Sequence, residues 1–206
     1  MTDIYGQIAF TDAVKSVQEV QGSRHAYARV GANADRKRRL GPEEAAFISA
    51  RDSFFLATVS ATDWPYVQYR GGPAGFLHVL DDHTLGFADF CGNRQYITTG
   101  NIAGNDRVSL LLMDFANSRR LKLFGRMRNV ALGDNDALTA ALVNRTYSTL
   151  HDATVERVFL IDVEAFDWNC PQHIHPRFTE AEVRAAFSNR GTVLPCGPEP
   201  SPEPKE

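Results

Sequence analysis

Short apolar runs follow one another at hairpin spacing through most of this chain, and that succession limits the folds open to it. Phe54 to Ser60, Tyr66 to Arg70, Phe76 to Leu80, Thr84 to Ala88, Arg107 to Asp114, Arg120 to Arg128 and Arg157 to Phe166 read as strands separated by turns or inserted helices. A doubly wound parallel sheet needs regular strand-helix alternation, which is absent. No GxGxxG, phosphate-loop GK[ST], GxSxG or HExxH motif occurs. The class that remains is mainly β, a small antiparallel barrel with peripheral helices.

Local patterns refine this reading. The nearly continuous apolar run Phe54 to Val59 predicts a strand covered on both sides. Arg120 to Arg128 alternates, with Leu121, Leu123 and Met127 on one face and Arg120, Lys122, Arg126 and Arg128 on the other. Gly125 interrupts that alternation and predicts a bulge or a close backbone approach. Helices are expected from Phe10 to Val20, from Pro42, over 93–102 with Asn93 as N-cap, and over 134–145. Thr179 and Glu182 form a capping box that opens a further short helix. The expected organisation is a helical leader over 1–46, a barrel domain over 47–178, a C-terminal helix over 179–194 and a disordered Pro- and Glu-rich tail over 195–206.

Composition excludes several partners. A net charge of −3 gives no field that would favour nucleic acid. The basic run Arg36 to Arg39 reads as a solvated connection. No apolar run approaches the ~20 residues that span a bilayer, and the N-terminus has no signal-peptide pattern. Cys91, Cys170 and Cys196 are odd in number and widely spaced, which argues against a disulfide framework and for a reducing cytoplasm.

The candidate chemistry gathers between Trp64 and Gln95. Gly92-Asn93-Arg94-Gln95 places an arginine and free backbone N–H groups at an expected helix start, an arrangement suited to phosphate. Arg70 ends a strand whose backbone can face the polar edge of a planar ring. Arg120 and Lys122, nearest the turn before their strand, offer further cations. Cys170, His173 and His175 supply three potential metal ligands without a fourth, so no metal site is expected; Trp168 and His173 read instead as contacts to an aromatic ligand. Asp89, His173 and Tyr69 are acid-base candidates by location alone.

In order, PYVQYRGGPAGF, LGFADFCGNRQYI, NDRVSLLLMD and SRRLKLFGR resemble the pyridoxamine 5′-phosphate oxidase-like family of flavin-binding split barrels. The resemblance covers roughly residues 47–178. It implies a six-stranded antiparallel split β-barrel, a homodimer and FMN at the subunit interface. By resemblance, Val67, Gln68, Tyr69 and Arg70 line the ring and reach the phosphate. Ala88 and Asp89 approach the ribityl chain or ring, and Asn93, Arg94 and Gln95 hold the phosphate. Arg120 falls where the family often has a glutamine contributed by the partner subunit. Trp168 and Arg177 fall near the family's late tryptophan and arginine.

Two departures separate the chain from true pyridoxamine phosphate oxidases. Gln95 stands in place of a lysine, with Arg120 as a candidate offset, and CPQHIHPRF replaces the C-terminal arginine-x-histidine element. The expectation is therefore an FMN-dependent oxidoreductase of the broader branch, acting on a small organic substrate. The alternatives are a non-catalytic flavin-binding or sensing protein, and a haem-handling split barrel with His173 or His175 as ligand. A deazaflavin is a variant of the first.

Overall fold

The structure, a computed structural model, describes residues 4–28, 37–133, 136–147 and 154–188. The strands are β1 (Ser53–Val59), β2 (Pro65–Gly71), β3 (His78–Val79), β4 (Thr84–Phe90), β5 (Arg107–Asp114), β6 (Arg119–Ala131) and β7 (Val155–Trp168). They form one sheet in the order β2-β1-β5-β6-β7-β4-β3. Every pairing is antiparallel. The split-barrel class is as expected; the described residues form seven strands, one in each of the seven runs read from the sequence and one more than the six the resemblance implies. The extra one, β3, pairs through only two residues. It is short because Phe76 and Leu77 turn inward, 3% and 0% exposed, and Phe76 stacks on Phe54 at 5.6 Å.

Alternation in β6 holds: Leu121, Leu123 and Met127 are buried. The register shifts between Phe124 and Gly125. A Cβ on Gly125 would lie 2.7 Å from Ile161 Cγ2 and 2.8 Å from the Asp162 carbonyl oxygen, so this bulge requires glycine. The expectation for β1 needs correction. Phe54, Leu56 and Thr58 are buried, yet Phe55 between them is 38% exposed. Only one face of β1 meets the barrel core; its apolar outer face is not fully covered within a single chain.

No backbone ladder joins β2 to β4 among the described residues. The curled sheet closes there through side chains: Arg70 Nη1 of β2 donates to Asp89 Oδ1 of β4 at 2.6 Å. This gap is the split of the barrel.

The helices are α1 (Ile4–Ala9), α2 (Asp12–Val20), α3 (Arg24–Ala28), α4 (Pro42–Ser49), α5 (Ile97–Gly104), α6 (Asp136–Tyr147) and α7 (Glu180–Ser188). Pro42 opens α4 as expected, and Glu44 Oε2 accepts from Gly41 N at 3.0 Å. The Thr179–Glu182 box caps α7 in both directions. The leader contains a helix not foreseen, α1, whose Tyr5 stacks on Phe124 at 5.0 Å. Of the basic run, Arg36 lies outside the described residues, while Lys37 pairs with Asp167 and Arg39 with Asp82, which ties the connection before α4 to the barrel. The tail over 195–206 and Cys196 lie outside the described residues. No described helix is long and apolar enough to cross a membrane.

Candidate functional site

An open cleft of about 240 Å³ lies at the split of the barrel. Tyr66, Gln68 and Arg70 enter it from β2, Asp89 and Phe90 from β4, and Glu156 from β7; the 92–96 loop and the first turn of α5 complete the wall. The alternation of β2 selects which side chains arrive. Gln68 and Arg70 face the cleft, whereas Val67 and Tyr69 occupy the other face, each 61% exposed. The same rule places Ala88, buried, on the face of β4 opposite Asp89. The structure thus brings together Gln68, Arg70, Asp89, Asn93, Arg94 and Gln95, and turns Val67, Tyr69 and Ala88 away.

The loop differs from the expected helix start. Asn93 does not cap a helix; its Oδ1 accepts from Gln95 N at 3.2 Å in a local turn. The helix begins at Ile97 instead, with Tyr96 as N-cap and no side-chain cap. Arg94 and Tyr96 both have left-handed backbones, at φ 59° and 53°. A side chain there crowds the backbone, and such strain concentrates where surrounding structure holds it. Gln68 Oε1 accepts from Thr98 Oγ1 at 2.8 Å, fixing α5 against β2. α5 has no side-chain cap, and its first-turn residues Ile97, Thr98 and Thr99 line the cleft.

The floor is charged. Asp89 lies between Arg70, at 2.6 Å, and Arg157, whose Nε is 3.4 Å from Asp89 Oδ2. Burial pushes the Asp89 carboxyl above the ordinary range, and the two guanidiniums only partly counter it. The Nε atoms of Arg70 and Arg157 are buried and make no hydrogen bond. Glu156 accepts from Arg157 Nη2 at 2.7 Å and from the Tyr96 hydroxyl at 3.0 Å. The Arg157 bond and then the Tyr96 bond hold its carboxyl below the usual range.

Glu156, Arg157, Tyr96 and Thr98 were not legible as site residues in the sequence. Arg157 reaches Asp89 because the two are register partners across β4 and β7, distant in sequence. No local pattern carries that pairing.

Arg120, Lys122, Trp168, His173 and Arg177 are not at this cleft. Trp168 and Arg157 mark opposite ends of β7, roughly 35 Å apart along an extended strand. Trp168 Nε1 donates to Glu44 Oε1 at 2.8 Å and its ring meets Phe47 edge-on at 4.8 Å. Arg120 opposes Met113, and its Nε is buried without a hydrogen bond. The Lys122 ammonium sits 5.0 Å over the Tyr5 ring, and the Arg177 guanidinium 5.1 Å over Phe115. His173, with φ 66°, and His175 stand exposed in the segment after β7.

Comparisons with known proteins agree with this architecture. HupZ of Group A Streptococcus superposes with a TM-score of 0.51 at 18% identity, covering 68% of this chain and 99% of that one. A point variant of the same streptococcal protein gives 0.50 at 18% identity, over 63% and 99% of the two chains. A candidate pyridoxamine 5′-phosphate oxidase of Lactobacillus delbrueckii gives 0.47 at 19% identity, over 63% and 94%. At 18% identity the streptococcal likeness concerns fold alone. No curated protein sequence matches the chain. The family model described as pyridoxamine 5′-phosphate oxidase matches residues 40–168, more than half of the sequence and all seven strands of the barrel. With its split barrel and the cleft at the split, the chain belongs to the pyridoxamine 5′-phosphate oxidase family.

Proposed function

We propose that the protein is an FMN-binding flavoprotein and serves as an FMN-dependent oxidoreductase for a small organic substrate. The observation that carries this reading is the convergence at one cleft of Arg94, Arg70 and the first turn of α5, which has no side-chain cap. Such a donor set fits a phosphate-bearing ligand. Asn93, Arg94 and Gln95 hold the phosphate, and Gln68, Arg70 and Asp89 border the ribityl chain and ring. Bound FMN supplies hydride or electron exchange at its N5. The chain's residues orient it: Thr98 fixes Gln68, and Asp89 keeps the Arg70 guanidinium at the cleft.

A homodimer completes the site. Phe55, Trp64, Val67 and Tyr69 leave apolar surface bare on and beside the outer face of β1 and β2, with Trp64 76% exposed. A second copy seated there would cover it. Contributions from Arg120, Lys122, Trp168, His173 or Arg177 would come from that second copy, since within one chain they lie away from the cleft, toward the far end of β7.

The absorption spectrum of the purified protein tests the reading. Flavin bands, a dimeric mass and release of FMN on denaturation are expected; a colourless protein that takes up no added FMN overturns it. Arg94→Ala removes a charge-assisted hydrogen bond to phosphate and should weaken FMN binding about tenfold or more, while riboflavin, which lacks the phosphate, is little affected. Unchanged FMN affinity places the phosphate elsewhere.

A further inference from the structure

Arg94 is an exposed, long side chain on a strained loop, yet it is not left to wander. Its Nε donates to the Tyr96 hydroxyl at 3.3 Å. That hydroxyl in turn donates to Glu156 Oε1 at 3.0 Å. Glu156 lies near the start of β7, so the relay ends on the barrel rather than within the loop. The carboxylate is itself clamped, because Arg157 Nη2 donates to Oε2 at 2.7 Å. The Arg157 guanidinium also lies over the Tyr96 ring at 5.0 Å, so both ends of the tyrosine are held. The backbone runs beside this relay, with Cys91 N donating to the Thr154 carbonyl at 2.8 Å.

An arginine gives up considerable rotamer freedom when it is fixed on a ligand. If that ordering is done before the ligand arrives, less binding energy is lost. We infer that Tyr96 and Glu156 are positioning residues: Glu156 anchors the Tyr96 hydroxyl, and Tyr96 presents the Arg94 guanidinium to the anionic group of the ligand. Neither residue need touch the ligand to do this. Arg94 and Tyr96, the two loop residues of the relay, are also residues with left-handed backbones. Glu156 and Tyr96 thereby set the preference for a phosphate-bearing flavin over the same flavin without phosphate. This inference rests on the FMN reading above.

The experiment is a double-mutant cycle on the full chain, with FMN and riboflavin titrated separately by fluorescence quenching. Tyr96→Phe keeps the ring and removes the hydroxyl; it should weaken FMN binding by about three- to tenfold and leave riboflavin unchanged. Glu156→Ala should do the same, and Glu156→Gln, which retains an acceptor, should recover most of the loss. In an Arg94→Ala background, Tyr96→Phe should cause no further loss, because the residue acts through the arginine. Equal losses for FMN and riboflavin, or losses that add to that of Arg94→Ala, overturn the inference in favour of a general structural role. Weakening by Arg94→Ala but not by Tyr96→Phe overturns the inference and leaves the FMN reading standing. A parent protein that binds neither flavin overturns both.

Discussion

Two buried carboxylates, one at each end of the barrel, face arginines and yet behave in opposite ways. Asp114 closes the far end of β5. It accepts from Asn117 N at 3.0 Å and from Asn117 Nδ2 at 3.1 Å, and pairs with Arg51 at 3.1 Å. Burial pushes its carboxyl up, but the Asn117 donors and Arg51 outweigh that and leave it below the ordinary range. Asp89, at the cleft, has two guanidiniums beside it but only one hydrogen bond of good length, from Arg70. There burial prevails and its carboxyl is pushed up. Asp89 lies deeper in the protein and receives fewer directed donors than Asp114, and both differences push its carboxyl the other way. One end is a satisfied anchor. The other holds its carboxylate by one close bond from Arg70, at the wall of the open cleft.

The largest effect expected from breaking this contrast is at the anchor. Asp114→Ala strands Arg51 and the Asn117 donors and should cost about 3–5 kcal/mol in urea unfolding. The sign with pH follows from the lowered folded value. The Asp114 contribution is present above the unfolded carboxylate value and is lost as pH falls through the folded one. Acid melting of Asp114→Asn should therefore be flatter than that of the parent, and an unchanged acid slope would remove Asp114 as the anchor.

Asp89→Asn comes next, with a loss of about 1–3 kcal/mol near neutral pH from the weakened Arg70 bond. Its pH sign is reversed. A raised folded value means a contribution present below the unfolded value and lost as pH rises through the folded one. The difference in stability between parent and Asp89→Asn should accordingly grow less favourable to the parent as pH rises through that window. Parallel pH dependence at Asp89 and Asp114 would dissolve the contrast.

Trp168→Phe is the smallest change. It keeps an aromatic ring near Phe47 and loses the bond to Glu44, at a cost of about 1 kcal/mol. If a second copy brings Trp168 to the flavin, FMN affinity falls by more than stability does; equal small effects keep Trp168 a structural residue of the far end.

Much of the barrel was legible because it is written in periods of two. Leu121, Leu123 and Met127 announced β6, Gly125 its bulge, and Pro42 and Thr179 their helix starts. The 76–80 run does hold a strand, but only His78 and Val79 pair, because the apolar Phe76 and Leu77 before them turn inward. The Asn93 helix start misled: asparagine caps helices and also builds local turns, and the left-handed residues after it shift the helix to Ile97. Arg70, Arg94 and Gln95 were visible as phosphate-type donors. Their neighbours Glu156 and Arg157 were not, because their role depends on register with β4.

The sequence alone determined the antiparallel class, the barrel face of most strands and the family, since each rests on local periodicity or on motifs in order. Tertiary structure alone decided the sides of the cleft. Alternation along β2 separates Gln68 and Arg70 from Val67 and Tyr69, and the length of β7 keeps Trp168 away from Arg157. Pairing across β4 and β7 sets Arg157 against Asp89. These are consequences of how distant segments meet, and no stretch of chain carries them by itself.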